Sequence, residues 1–280
     1  MTEQEVRQLR AEVIARRNLP TIPPVLARIL QLCDGVDANT NDLIAVIERD
    51  QALTGKLLRL ANSACFGQSR RVATIPRAVV LLGFTTVRNL TLGVKVWDAL
   101  GSGVARPRLE ELWTHSVACA VAARELTVRL QAGDPDEAFT AGLLLDVGRL
   151  ALAVRFRDEY WKVVGGVAET EDMDAVEREA FGVGHPEVGA WMLDAWALPP
   201  GIVEGVRLHH DEARRLAGPA ILAVTDRLVA CSDLASGEIG PRARELLELT
   251  SAQGLTREVW EATLARLGED GTRTASGLRG

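Results

Sequence analysis

Asp146 lies inside the apolar run GLLLDVGRL, residues 142–150, and is the first candidate for chemistry in this sequence. Burying a carboxylate among leucines costs several kcal/mol unless the group is paired, hydrogen-bonded or bound to a metal. We therefore expect the fold to supply a partner for Asp146. The simplest partners are Arg149, one helical turn further on, and a histidine such as His115.

Four histidines and a second acid are the other candidates. The histidines lie in the segments WTHS, GHPEVG and RLHHD, and the acid lies in AVTDRLVA. Imidazole and carboxylate groups are common ligands of divalent metals, so these side chains could form one cluster. The alternative is that each is a structural polar residue, satisfied by backbone, water or, for the second acid, Arg227 or Arg155. The candidate ligands are His115, Asp146, His185, His209, His210 and Asp226.

No other catalytic pattern accompanies these residues. The spacing supports neither a Ser-His-Asp nor a Cys-His arrangement, and the sequence has no glycine-rich phosphate loop. The cysteines lie far apart without a Cys-x-x-Cys pair, so we expect reduced, buried thiols instead of disulfides or a zinc knuckle. They are Cys33, Cys65, Cys119 and Cys231.

The composition favours helices. Hydrophobic residues make up 47% of the 280 residues but aromatic residues only 4%, and we expect an all-α protein. The net charge of -6 argues against a general nucleic-acid binder, whose surface would be basic. The N-terminus is charged, and no stretch approaches the roughly 20 apolar residues of a membrane span, so we expect a cytoplasmic protein without a membrane partner.

Helical periodicity and capping residues predict the elements that hold the candidate ligands. An amphipathic helix over residues 3–17 is followed by the proline-rich break NLPTIPP, and GSGVARP at 101–107 predicts a subdomain junction. Asp50 is predicted to cap one helix, and Gly83 to separate a short helix from a long one. A residue before proline avoids the helical region, so His185 is expected at a helix entrance, with its side chain facing a cleft.

Seven segments in order resemble one known family. They are LPTIPPVLARIL, VIERDQALTGKLLRLANSACFG, AVVLLGFTTVRNLTL, LWTHSVACA, AFTAGLLLDVGRL, GHPEVGAWMLDAWALP and VRLHHD. From about Leu19 to Asp211 the chain resembles the HDOD family, bacterial signalling domains related to the metal-dependent HD phosphohydrolases. The resemblance implies an all-α fold in which a helical N-terminal subdomain packs on a degenerate HD-phosphohydrolase-like core.

The resemblance and the breaks together predict the domain organisation. The last residues, GEDGTRTASGLRG, have almost no apolar content, so we expect a disordered tail there. The predicted parts are an N-terminal helix at 1–18, an HDOD domain at 19–235 divided into 19–103 and 104–235, C-terminal helices at 236–268 and a disordered tail at 269–280.

The sequence departs from the related hydrolases at their defining motif. In that superfamily a His-Asp pair, flanking histidines and a late aspartate hold one or two divalent metals that activate water against a phosphoester. Here Leu145 precedes Asp146 where the pair would have histidine, so one ligand is missing. Arg149 replaces the lysine that often follows the pair and keeps the positive charge. The segment HHDEARRLAGPA also lacks the Gly-Tyr-Pro signature of the cyclic-di-GMP phosphodiesterase branch.

These departures favour a non-catalytic signalling module. We expect it to bind another signalling protein, in a pathway governed by cyclic-di-GMP or another nucleotide second messenger, and to need no cofactor. The alternative is a metal-dependent phosphohydrolase whose incomplete site holds one divalent ion, either Mn, Fe, Zn or Mg. Elemental analysis and turnover of phosphoesters would discriminate between these two hypotheses.

Two surfaces are candidates for macromolecular contact. The loop CFGQSRRVAT offers Phe66 beside Arg70 and Arg71, and we expect it to contact the partner protein. A third hypothesis is DNA binding through ALTGKLLRLAN as a recognition helix. The acidic chain and the few side chains that this helix offers to a groove argue against it. Those side chains are Lys56, Arg59 and Asn62.

Overall fold

The predicted all-α class is confirmed. The computed structural model describes residues 3–14, 27–29, 31, 40–62, 66, 71–101, 103–167, 172–210, 220–233, 236, 238–251 and 254–274. Within these ranges the only strands are β1 (Ser232–Asp233) and β2 (Glu238–Ile239), which pair antiparallel, Ser232 opposite Ile239. None of the described helices combines the length and hydrophobicity that a transmembrane segment requires.

The helices fall into three groups along the chain. The N-terminal group is α1 (Glu3–Ile14), α2 (Thr40–Glu48), α3 (Gln51–Ala61), α4 (Ile75–Leu82) and α5 (Phe84–Gly101). The central group is α6 (Arg106–Leu130), α7 (Pro135–Leu144), α8 (Val147–Phe156), α9 (Asp158–Val164), α10 (Met173–Phe181), α11 (His185–Ala195), α12 (Pro200–Leu208) and α13 (Ala220–Ala230). After the strands come α14 (Pro241–Thr250) and α15 (Arg257–Thr274).

Local signals account for several helix ends. Asp50 caps α3 as predicted, because its carboxylate accepts a hydrogen bond from the Leu53 amide at 3.0 Å. Asp134 caps α7 by accepting from two amides of its first turn. Gly83 separates α4 from α5 with a φ of +89°, a conformation that glycine adopts at little cost. These caps show that helix boundaries follow from short-range chemistry.

The predicted junction at 101–107 falls between α5 and α6, but the core runs across it. Helix α5 packs against α3 on one side and against α7 and α8 on the other. The Trp97 indole Nε1 donates to the Leu143 carbonyl at 2.7 Å, and Gly93 lies directly against the Leu143 side chain. The N-terminal helices therefore share one core with the central group.

The C-terminal helices pack on the central group. Helix α15 lies along α6, and α14 contacts α13. Helix α15 continues to Thr274, past residue 269 where the sequence predicts a tail. Extending a helix already anchored by packed residues adds one hydrogen bond per residue and needs no new nucleus. Residues 275–280 of the predicted tail lie outside the described ranges.

Candidate functional site

The chain breaks its helix at Asp146. Helix α7 ends at Leu144 and α8 begins at Val147, so Leu145 and Asp146 form a tight connection. The last carbonyls of a helix have no partner within it, and Trp97 satisfies that of Leu143. Leu145 is 0% exposed, whereas the Asp146 carboxylate lines a pocket. The break thus turns one residue into the core and the next into the site.

Asp146 meets two histidines from other helices. Its Oδ2 lies 3.7 Å from Nε2 of His115 on α6, and its Oδ1 lies 3.4 Å from Nε2 of His185, the first residue of α11. Arg149 approaches the same carboxylate at 3.5 Å. Both partners expected for the buried acid are therefore present together. The Asp146 carboxylate is ionised, because these positive groups outweigh the effect of burial and lower its pKa.

Asp226 and the double histidine complete the group. His115 Nε2 donates to Asp226 Oδ1 at 2.9 Å, and His210 Nε2 lies 3.9 Å from Asp226 Oδ2. Arg227 and Arg155 were the alternative partners of Asp226. Asp226 bonds to His115 from α13, while Arg155 approaches Glu12 and Arg227 approaches Asp172. The structure thus brings all the candidate ligands into one His/Asp cluster. Its members are His115, Asp146, His185, His209, His210 and Asp226.

Two imidazoles in this cluster face each other through their Nε2 atoms. His209 Nδ1 donates to the Val206 carbonyl at 2.6 Å, and His185 Nδ1 donates to Glu177 at 2.7 Å. These Nε2 atoms lie 3.0 Å apart, and each would carry a lone pair if its ring were neutral. Burial lowers the pKa of His209 well below its usual value, so its ring stays neutral. A proton or a cation between the two rings relieves the repulsion of the lone pairs.

A buried polar chain behind the cluster orients His185. Glu177, fully buried on α10, accepts from both the backbone amide and the Nδ1 of His185. The Tyr160 hydroxyl donates to the other Glu177 oxygen at 2.7 Å, and Arg149 donates to Tyr160 at 3.3 Å. Sequence reasoning missed Glu177 and Tyr160. The available signal was a glutamate four residues before Phe181, on the buried stripe of its helix.

Asp172 holds the outer histidine. Its Oδ1 accepts from His210 Nδ1 at 2.7 Å, and it also caps α10 by accepting from the Asp174 amide. The hydrogen bond from His210 lowers the pKa of Asp172 to about 2. Burial alone would lower the pKa of His210, but the bond to Asp172 outweighs burial and raises it. Asp172 was also missed, since it lies 38 residues from its partner in the sequence.

Replacing Asp172 by asparagine tests this pair, because asparagine keeps the helix cap and removes only the charge. The depressed pKa of Asp172 contributes stability above about pH 4, which is lost as the pH falls towards 2. The raised pKa of His210 contributes stability below about pH 6.5, which is lost as the pH rises through the raised value. In urea unfolding with a chelator present, Asp172→Asn should therefore have a lower free energy of unfolding than the parent. The difference should be largest between about pH 4 and 6.5, up to about 1 kcal/mol. A difference in the free energy of unfolding that is constant from pH 3 to 9 would contradict an ion pair between Asp172 and His210.

The cluster opens into a pocket of about 570 Å³. The inner wall carries His115, Asp146, His185, His210 and Asp226. The outer wall adds apolar, cationic and acidic side chains, and the acids are Glu111, Asp172 and Glu245. Pockets of this volume suit a small organic ligand. The cationic side chains at the wall are Arg149, Arg227 and Arg242.

The cluster fits the divalent metal that the family resemblance implies. Asp146 Oδ2 is buried and has no hydrogen-bond partner among the described residues, although buried oxygens normally have one. The Nε2 atoms of His185 and His209 face a common point, while their Nδ1 atoms are held by a carboxylate and a carbonyl, which is how metal-binding imidazoles are usually oriented. His185, His209 and His210 could hold one ion, and Asp146 with His115 and Asp226 another. A bound ion would supply Lewis acidity and an activated water.

One residue of the predicted contact loop, Phe66, lies in the core. Phe66 is only 9% exposed; its ring packs 5.4 Å from that of Phe139, and the Arg124 guanidinium lies over it. Burial of this large ring in the core explains why it is not a surface residue. Arg71 is exposed, and Arg70 lies outside the described residues.

The helix considered for DNA recognition uses its polar side chains internally. Lys56 pairs with Asp98, and Asn62 is bound to the backbone at both Leu58 and Val72. Two of the three side chains that would have to read a groove are therefore engaged within the protein.

Comparison with known proteins identifies the family. The HDOD domain model matches residues 19–212, more than half of the chain. A Treponema pallidum protein of uncharacterised function is 27% identical over 198 residues, which are 69% of this chain and 38% of that protein. The chain thus spans well under half of that relative's length.

Solved structures agree with this assignment. A candidate phosphohydrolase from Shewanella amazonensis superposes with a TM-score of 0.74 at 26% identity, covering 96% of this chain and 97% of that one. An HDOD domain protein of unknown function from Geobacter sulfurreducens has a TM-score of 0.71 at 24% identity, covering 98% of this chain and 97% of that one. The second likeness shows the fold alone. With the family model over most of its length and this shared architecture, the chain belongs to the HDOD domain family.

Proposed function

We propose that this chain is a cytoplasmic regulatory HDOD module that does not hydrolyse phosphoesters and acts by contact with another signalling protein. The observation that carries the proposal is Leu145. This side chain is fully buried beside Asp146, at the place where the related hydrolases have the histidine of their His-Asp pair. An apolar side chain there provides no ligand, so a metal at Asp146 has one donor fewer to hold it against water.

The remaining site groups are strongly tied to one another. His115 is bonded to Asp226, His185 to Glu177 and His210 to Asp172. Such pairing satisfies polar groups that would otherwise be costly to bury, so these groups can be accommodated in the fold without a catalytic role. A cluster in which three histidines are paired with carboxylates, beside a leucine at the place of the missing ligand, supports a regulatory role.

The pocket supports a nucleotide second messenger, cyclic-di-GMP or another, as the input of this module. Arg149, Arg227 and Arg242 line it beside apolar side chains such as Leu246 and Leu249. Guanidinium groups bind phosphate oxygens in bidentate geometry, and apolar surface accepts a base. Such a ligand would bias the module between states that its partner protein distinguishes.

Turnover measurements test the absence of hydrolysis. We expect no hydrolysis of generic phosphoesters or cyclic dinucleotides above the buffer rate, with Mn, Fe, Zn or Mg added separately. The Asp146→Asn variant serves as the control for contaminating activity, because it keeps the side-chain volume and loses the charge. Metal-dependent turnover by the parent that disappears in Asp146→Asn would overturn the proposal and establish the second candidate.

The second candidate is a metal-dependent phosphohydrolase with an incomplete site. The observation that favours it is the pair of facing Nε2 atoms on His185 and His209, with the unsatisfied Asp146 Oδ2 nearby. Three protein ligands and open positions for water are sufficient for catalysis in other metal enzymes. The same assay separates the two candidates, because only this one requires turnover.

A further inference from the structure

A buried thiol lies at the floor of the His/Asp cluster. Cys119 is one helical turn after His115 on α6, so both side chains project from the same face of the helix. Its Sγ lies 3.4 Å from His115 Nε2, and the residue is 0% exposed. The ligand atoms of His115, Cys119 and Asp226 all lie within 4.8 Å of one another.

We propose that Cys119 is a metal ligand, and that its thiolate replaces the imidazole that is absent at Leu145. In this arrangement His115, Cys119, Asp226 and Asp146 hold one Zn²⁺ ion. The proposal concerns the identity of the ion and its ligands, and it holds whether or not the module contacts a partner protein.

His115 lies close to each of the other three proposed donors. Zn–S bonds are about 2.3 Å and Zn–N or Zn–O bonds about 2.0–2.2 Å, so neighbouring ligand atoms in a tetrahedron lie about 3.4–3.6 Å apart. The distances from His115 Nε2 are 3.4 Å to Cys119 Sγ, 3.7 Å to Asp146 Oδ2 and 2.9 Å to Asp226 Oδ1. These distances are close to that spacing, so His115 can share an ion with each of the other three donors.

Asp146 gives independent support for a cation at this point. Its Oδ2 is the atom that faces His115, is buried, and accepts no hydrogen bond within the described part of the chain. Arg149 approaches at 3.5 Å but does not satisfy this oxygen with a hydrogen bond. A buried carboxylate oxygen without a donor is costly, and coordination to a metal would remove that cost.

The thiol determines which ion is preferred. Thiolate is a soft ligand that favours zinc, whereas Mg²⁺ and Mn²⁺ prefer oxygen donors. Four protein ligands fill a tetrahedral ion and leave no open position for water, which is typical of structural and not of catalytic sites. Burial raises the pKa of the Cys119 thiol to about 11, so the free thiol is protonated and binding of zinc releases its proton to solvent.

Cobalt spectroscopy of the purified full chain tests this ligand set. Co²⁺ in place of Zn²⁺ is expected to give a near-ultraviolet thiolate-to-cobalt charge-transfer band and the visible spectrum of a tetrahedral ion. A variant with Cys33, Cys65 and Cys231 all changed to serine should keep both, because it retains Cys119. The Cys119→Ser variant should lose the charge-transfer band, while circular dichroism checks that it is folded.

Affinity provides the second measurement. In competition with a chromophoric chelator, Cys119→Ser should bind Zn²⁺ at least about 100-fold more weakly, since loss of even an outer partner costs 10–100-fold. Cys231→Ser is the matched control, because Cys231 also lines the pocket but is not in the ligand group. Its affinity should be unchanged. Absence of zinc binding, parental affinity in Cys119→Ser, or no charge-transfer band in the variant that retains only Cys119 would each overturn the proposal.

Discussion

Gly148→Ala is expected to lower the free energy of unfolding by about 3 kcal/mol or more. Gly148 lies where α8 crosses α11, and a Cβ built there would be 2.0 Å from the His185 carbonyl oxygen and 2.8 Å from the Gly189 amide nitrogen. Both atoms belong to the backbone, so no side-chain rotation relieves the overlap. The two helices must separate, and His185 then moves away from Asp146.

Urea unfolding with Gly166→Ala as the control measures this effect. Gly166 is exposed, and a Cβ there would meet nothing within 4 Å, so its replacement should change stability by less than about 1 kcal/mol. If Gly148→Ala were as stable as the parent, the close approach of α8 and α11 would be incorrect. The geometry of the His/Asp cluster would then have to be revised with it.

Glu177→Ala is expected to lower the free energy of unfolding by about 3–5 kcal/mol, because it removes the acceptor of three buried donors. These donors are the Tyr160 hydroxyl and the backbone amide and Nδ1 of His185. Burial opposes ionisation of Glu177, but the charge of His185 and its hydrogen bond outweigh burial and lower the pKa. The stability that Glu177 contributes is therefore present above about pH 4.5 and is lost as the pH falls through its lowered pKa.

Two measurements distinguish this role from simple packing. Nitrogen NMR of His185 should show a protonated Nδ1 in the parent and a changed tautomer or ring exchange in Glu177→Ala. Glu179→Ala on the same helix is the matched control, since Glu179 is exposed. Its free energy of unfolding should be within about 0.5 kcal/mol of that of the parent. An unchanged His185 tautomer in a folded Glu177→Ala protein would contradict the orienting role.

Much of the fold could be predicted from the sequence because its signals are local. The cap at Asp50 and the break at Gly83 depend on residues within one or two helical turns. The family resemblance also placed the six candidate ligands, because motif residues keep their order along the chain. It identified Leu145 as a departure from the hydrolase motif, and the structure places this residue in the core.

Local signals failed where burial depends on distant partners. Phe66 looked like a loop residue, but it packs against Phe139, which lies on α7. The Glu177 and Asp172 partners of the histidines were missed, since hydrogen bonds between helices leave no fixed spacing in the sequence.

The sequence by itself determined the helical class, several helix boundaries, the family, and the absence of a histidine beside Asp146. These features depend on residue type and on spacing along the chain. Only the tertiary structure decided which atoms meet: the facing nitrogens of His185 and His209, and the thiol of Cys119 beside His115. Hydrogen bonding and coordination depend on distances of a few tenths of an ångström, and those distances are set by the packing of all the helices together.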